Sequence, residues 1–167
     1  MVLLAIDLHS TNWQNALYVL HILSAVYFAL GVILATIFTL QVPNVPTLKM
    51  KAQVMGQASQ VARGMIIPGS ILAGVSGFVL TYAQGLSLQT HWVLFSTLLF
   101  FAAFLVGGAS GPISARTRRT VEQEVRGGKK PTPELIKALR SPAPTIIMGV
   151  NLAILIALIV LMFVQPK

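Results

Sequence analysis

Three long stretches of the chain are apolar and contain no Asp, Glu, Lys or Arg. They cover residues 8–48, 64–115 and 141–166. Leaving an isolated charge in hydrocarbon is costly, so charge-free apolar runs of this length are typical of membrane-embedded helices. As a single helix the middle run would be roughly 78 Å long, far more than the bilayer core of about 30 Å. It therefore has to fold back on itself.

Polar and proline-rich segments divide these runs into four spans. A polar turn at residues 84–91 splits the middle run, and prolines flank the other two. The pattern predicts an all-α, polytopic bundle of four transmembrane helices, forming a single domain over residues 1–167. Short interfacial helices are expected in the two basic loops, the second of them capped by Thr132. The predicted spans are residues 13–40, 66–82, 92–110 and 145–164.

Charge predicts the orientation of the bundle. Of the 12 lysines and arginines, all but Lys167 lie between spans one and two or between spans three and four. The positive-inside rule makes this side cytoplasmic and leaves both termini outside. Trp13, Tyr82 and Trp92 fall at the opposite interface, as an aromatic belt would. We therefore predict a multi-pass protein of the cell (inner) membrane.

The net charge of +8 would suggest nucleic-acid binding in a soluble protein. Here membrane topology already explains the charge, and the basic loop between spans three and four has no interleaved aromatic residues. Anionic lipid headgroups are the expected partner of this loop, and nucleic acid is not. The absence of cysteine excludes disulfides and thiolate chemistry. The headgroup-binding residues predicted are Arg116, Arg118, Arg119, Lys129 and Lys130.

Each span carries small residues four positions apart, and small residues let helix backbones approach closely within a membrane. We interpret these stripes as helix-packing surfaces. The alternative is that they make room for a flat cofactor. The stripes are Gly31 and Ala35 in span one, Gly69, Ala73 and Gly77 in span two, Ala103, Gly107 and Gly111 in span three, and Gly149, Ala153 and Ala157 in span four.

His21 stands out among the polar residues within the spans. It shares a helix face with Gly31 and Ala35, so its ring should point into the bundle. An ionisable residue inside a membrane is a candidate haem ligand or proton relay, and the alternative is a neutral imidazole hydrogen-bonded to a neighbouring helix. His91, at the external interface, is a weaker candidate for a second haem ligand. Asn151 is interpreted as an interhelical hydrogen-bond donor rather than a substrate ligand.

Four short segments form a recognisable pattern: LHIL at residues 20–23, the pairs PG and SG within residues 68–77, Trp92 followed by the basic cluster at 116–119, and the closing LMFVQPK. Together they resemble a bacterial family of predicted four-span integral membrane proteins known as a domain of unknown function. The resemblance extends over nearly the whole chain and implies a four-span fold.

More distantly, the Leu-His opening and the Pro-Gly of span two resemble the HemJ-type protoporphyrinogen oxidases and copper-resistance D-type membrane proteins. In the former, a first-span His is a haem b ligand, and His21 stands at the matching position. That family also carries a Lys early in span three and a further His near the end of span one. This chain has neither. The resemblance therefore implies haem b as a candidate cofactor, without the other residues of the oxidases.

The sequence favours a non-enzymatic membrane protein, an accessory or assembly subunit of a larger membrane complex, with a redox complex as the first candidate. Other membrane subunits or a second copy of the chain are the expected protein partners. The alternative is a haem-b-binding redox protein or oxidase centred on His21. A small-solute transporter ranks third, because no predicted span contains the carboxylate that ion-coupled transport usually employs.

Overall fold

The computed structural model describes residues 11–128 and 131–164, and every regular element within them is helical. The all-α class predicted from the sequence is confirmed. The helices in chain order are α1 (Thr11–Gln41), α2 (Leu48–Val61), α3 (Ile67–Ala83), α4 (His91–Arg126), α5 (Pro133–Arg140) and α6 (Ala143–Val164), with a π-helical turn (Ala62–Ile66) joining α2 to α3.

Four helical segments of the described chain are long and apolar enough to cross a membrane. The helices that contain spans two and three extend well beyond the predicted limits. The lead-in to span two is not a separate interfacial helix, because α2, the π turn and α3 form one helix of 36 residues. Helix α4 continues past the apolar region to Arg126 as a charged extension. The short helix α5 begins as expected, with the Thr132 hydroxyl accepting from the backbone amide of Leu135.

Pro68 accounts for the π turn between α2 and α3. Its ring nitrogen has no hydrogen, so the carbonyl of Gly64, four residues earlier, loses its usual helical partner and faces the proline ring. The helix widens into a π turn just before this point. The Tyr27 hydroxyl, on α1, donates a hydrogen bond to the Gly64 carbonyl at 2.8 Å. Helix α1 thus replaces the bond that Pro68 removed, in surroundings where lipid offers no donor.

Helices α1 and α3 pack antiparallel along most of their length. At one end the Gln14 side-chain amide donates to the carbonyl of Ala83 at 2.8 Å, and Leu17 packs against Leu80 and Ala83. Towards the other end Gly31 lies against the π turn. Helix α6 packs against α4 and α1. This arrangement puts both basic connections at one end of the bundle, which we call the basic end.

Unlike α1 and α3, helices α3 and α4 do not pack closely, and their backbones make little direct contact. Helix α4 packs instead on α6 and on α2. The side chain of Phe100 reaches from α4 to α3, where its ring lies 3.1 Å from the position that a Cβ on Gly74 would take. The separation of α3 and α4 leaves an internal space below this ring, towards the basic end.

Candidate functional site

A cavity of about 550 Å³ occupies the space between the helices in the basic half of the bundle. Its volume falls within the range of roughly 300–1,000 Å³ that is usual for small-molecule sites. All six helices and the π turn contribute side chains to its wall. The far end is formed by apolar residues, among them Phe28, Val32, Phe100, Leu155 and Leu158.

Asn151 is the exceptional polar residue of this wall. It is only 9% exposed, and its Oδ1 is buried without a hydrogen-bond partner among the described residues. Its Nδ2 lies 3.5 Å from the position of a Cβ on Gly107, so the amide sits against α4. The hydroxyls of Thr39 and Ser70, which also line the cavity, donate back to their own helices. Asn151 is therefore a buried side chain of this wall whose hydrogen-bonding capacity is not met within the described chain.

The interhelical hydrogen bond expected of Asn151 is not formed within the described part of the chain. A buried unsatisfied polar atom costs about 1–3 kcal/mol, so its presence calls for an explanation. An occupant of the cavity with a complementary polar group would supply one.

Arg118 marks the opening of the cavity at the basic end. Its Nη1 lies 3.3 Å from Oε1 of Glu122, and its side chain is 24% exposed. The Nε atom is buried without a partner in the described chain. Ser114, Ser141 and Thr145 line the same end. The opening is thus polar and cationic, with guanidinium hydrogens that the ion pair does not use.

The polar groups are ordered along α4. At 1.5 Å per residue, the level of Gly107 and Asn151 lies roughly 16 Å from Arg118, and Phe100 lies roughly 10 Å further on. Asn151 leans towards the basic end, because helical side chains lean towards the N-terminus of their helix. The Arg118 guanidinium is paired with Glu122, one turn further from Asn151 along α4. The cavity runs from a cationic mouth past one amide to an apolar end.

His21 lies outside this cavity, in the interface between α1 and α3. Its Nδ1 is 3.0 Å from the carbonyl oxygen of Ala73 and 3.3 Å from Oγ of Ser76. The ring lies against Gly77, where an added Cβ would come within 3.0 Å of Cε1. To donate to the carbonyl, Nδ1 must carry the hydrogen, which leaves the lone pair on Nε2. The structure thus brings His21 together with two residues of the small stripe on α3.

The small stripes have different surroundings on the four long helices. Gly31, Ala35, Gly69 and Ala73 lie in the α1–α3 region and are buried. The stripe on α4, Ala103, Gly107 and Gly111, lines the cavity. The stripe on α6 is exposed along its whole length, and it consists of Gly149, Ala153 and Ala157.

The remaining candidates lie near the two ends of the bundle. His91 is the first residue of α4, exposed and at the end opposite the basic one. Arg116 and Arg119 are exposed on the extension of α4. The predicted headgroup residues Lys129 and Lys130 lie outside the described residues.

Sequence reasoning missed the buried carboxylate of Glu124. Its Oε1 accepts hydrogen bonds from the backbone amide of Thr132 at 3.3 Å and from the hydroxyl at 2.9 Å. This contact ties the α4 extension to the cap of α5. The sequence offered one indication of this contact: Thr132 was expected to start a helix, and an acidic side chain nearby could bind that helix start.

The fold and its apolar exterior define a polytopic, all-helical integral membrane protein. Residues 15–166 match the family described as "predicted integral membrane protein (DUF2269)", and the chain belongs to that family. The resemblance drawn from the four short segments is confirmed. No curated protein and no solved structure matches the chain. The more distant likeness to haem-binding oxidases and copper-resistance proteins stays a prediction.

Proposed function

We propose that this protein is a non-enzymatic accessory or assembly subunit, which binds another subunit of a membrane complex through the outward face of α6. A redox complex is the first candidate. The observation that carries the proposal is the exposed stripe of Gly149, Ala153 and Ala157. A Cβ added at Gly149 would meet no atom within 4 Å. The stripes on α1 and α3, by contrast, are already covered inside the chain.

The residues around the α6 stripe suit a helical partner. Ile146, Val150, Ile156 and Val160 flank it and are exposed. β-branched side chains have one strongly preferred rotamer in a helix, so they lose little freedom on contact. Small residues between such ridges let a second backbone approach closely, which is how helices associate where lipid removes the hydrophobic driving force. The proposed partner is therefore a transmembrane helix of another subunit.

A photo-cross-linker attached to Ala153→Cys is expected to give one adduct of discrete mass in native membranes. The protein has no cysteine of its own, so the label is confined to that site. Ile159→Cys, also exposed but on another side of α6, serves as the matched control and should give no such adduct. Adding Gly149→Leu should abolish the Ala153→Cys adduct, because leucine fills the groove.

The mass of the adduct distinguishes the partners. An adduct that contains this protein and a different polypeptide supports the accessory-subunit proposal. A species with twice the mass of this chain would identify a second copy as the partner and contradict that proposal. Equal labelling at both positions would show that the α6 face meets only lipid.

We further propose that the basic end faces the cytoplasm, because it carries the two loops rich in Lys and Arg. Cysteines placed at Ser87 and at Gln123, both exposed and near opposite ends of the bundle, should react with an impermeant reagent from opposite sides of the membrane. Ser87→Cys should be labelled in intact cells and Gln123→Cys only after lysis. Labelling of both from one side would contradict this topology.

A haem b site at His21 is the second candidate function. The favouring observation is that Nδ1 is engaged by the Ala73 carbonyl, which leaves Nε2 with its lone pair. Metal-ligating histidines usually have one nitrogen fixed in this way by a carbonyl or carboxylate.

A further inference from the structure

The cavity has properties that a packing defect between apolar helices would not produce. A packing defect would be lined by apolar atoms throughout. This cavity has a guanidinium at its mouth, and further in it has an amide whose Oδ1 is buried without a partner among the described residues. Beyond Asn151 its wall is apolar up to Phe100 except for Ser70, whose hydroxyl donates to the Ile67 carbonyl of its own helix. Charge, then a hydrogen-bonding group, then hydrocarbon is the order of groups along an anionic glycerolipid.

We propose that this cavity binds one acidic glycerophospholipid, with its phosphate at Arg118, its glycerol and ester region at Asn151, and one acyl chain among the apolar residues of α1, α4 and α6. This site lies between the helices and opens between α3 and α4, where Ile71 and Phe104 are exposed. It is separate from the general attraction of headgroups to exposed residues such as Arg116 and Arg119. It does not depend on the proposed role of α6.

Arg118 and Asn151 would bind different parts of the lipid in this site. The ion pair of Arg118 with Glu122 involves Nη1. The ion pair leaves the hydrogens of Nη2 unused, and these can donate to a phosphate oxygen. By rotating its side chain, Asn151 can present its amide oxygen to a lipid hydroxyl or its amino group to an ester carbonyl. The small residues Gly107 and Ala103 leave room for the acyl chain along α4, and Gly111 does so for the glycerol region nearer Arg118.

Native mass spectrometry of the detergent-purified protein tests the proposal. The probes are dioleoyl phosphatidylglycerol and dioleoyl phosphatidylcholine, which share acyl chains and differ in charge, together with inorganic phosphate. We expect one phosphatidylglycerol per chain, bound at least tenfold more tightly than phosphatidylcholine, and no binding of inorganic phosphate. Equal affinity for the two lipids would overturn the proposal, and so would phosphate binding with no added affinity from the acyl chains.

Three variants and their controls locate the site. Ala103→Phe should fill the cavity and reduce phosphatidylglycerol binding at least tenfold, whereas Ile159→Phe, at an exposed position of α6 outside the cavity, should leave it unchanged. Arg118→Gln should remove most of the preference for the anionic lipid. Arg126→Gln, about two turns further along α4 and exposed, should change it by less than twofold. Equal effects of the two arginine variants would assign the binding to the surface.

Asn151→Leu separates a ligand-binding role from a structural one. Leucine removes an unsatisfied buried amide, so the lipid-free protein should unfold at a higher temperature than wild type. The same variant should bind phosphatidylglycerol several-fold more weakly. A variant that is both less stable and unchanged in lipid affinity would show that Asn151 serves the fold alone and would overturn its assignment to the site.

Discussion

Gly69→Ala is expected to destabilise the bundle by about 1–3 kcal/mol, the usual cost of overpacking a well-packed contact. The added Cβ would lie 3.0 Å from both the backbone nitrogen and the Cα of Phe28. These are backbone atoms of α1, so they cannot move without separating the two helices. Gly31→Ala should act in the same way, because its Cβ would lie 2.9 Å from Cβ of Met65. Thermal or denaturant unfolding in detergent measures both effects.

The matched control is Gly149→Ala, the same chemical change within a helix. Nothing lies within 4 Å of the added Cβ there. Alanine favours a helix over glycine by about 1 kcal/mol in water, so this variant should be as stable as wild type or more so. If Gly69→Ala and Gly149→Ala unfolded alike, α1 and α3 would not approach as closely as the structure indicates.

The bundle could be predicted from the sequence because the bilayer dictates most of it. The length of the charge-free runs, the prolines that end them and the uneven distribution of Lys and Arg between the two ends are all sequence features. They follow from the cost of placing polar groups in hydrocarbon. The start of α5 was predictable for a local reason, since a threonine followed by a proline is an N-terminal signal wherever it occurs. These signals depend on single segments and not on how segments meet.

The surroundings of each stripe could not be predicted in the same way. In a helix of a soluble protein, the polar face identifies the opposite, apolar face as the buried one. Within a membrane, lipid and protein interior are equally apolar. The sequence of a uniformly apolar helix therefore does not show which face is buried against protein. The spacing of Gly149, Ala153 and Ala157 is the same as that of Gly69, Ala73 and Gly77. One stripe faces outward and the other faces α1.

The cavity and the π turn also arise from contacts between distant segments. The Tyr27 hydroxyl that bonds the Gly64 carbonyl comes from another helix, although Pro68 alone signalled that a partner was needed. From the sequence, Asn151 is interpreted as a hydrogen-bonding link between helices. It lines a cavity instead, because α4 stands apart from α3, a consequence of packing that no local pattern encodes.

His21→Ala is expected to lower the free energy of unfolding by about 1–3 kcal/mol. The change removes the hydrogen bond to the Ala73 carbonyl and leaves a void against Gly77, so a lost bond and a packing defect add together. Ser76→Ala should cost less, since the 3.3 Å contact is the longer of the two that Nδ1 makes. Unfolding in detergent compares the two variants under the same conditions.

The absorption spectrum of the same samples separates an interhelical bridge from a haem ligand. The bridge requires only Nδ1, whereas a haem would also need Nε2 on iron. For an accessory subunit we expect no Soret band in the wild-type protein, and His21→Gln should recover part of the stability that alanine loses, because an amide can still donate across the interface. A stoichiometric Soret band that His21→Ala abolishes and His91→Ala preserves would contradict this expectation and establish the haem site.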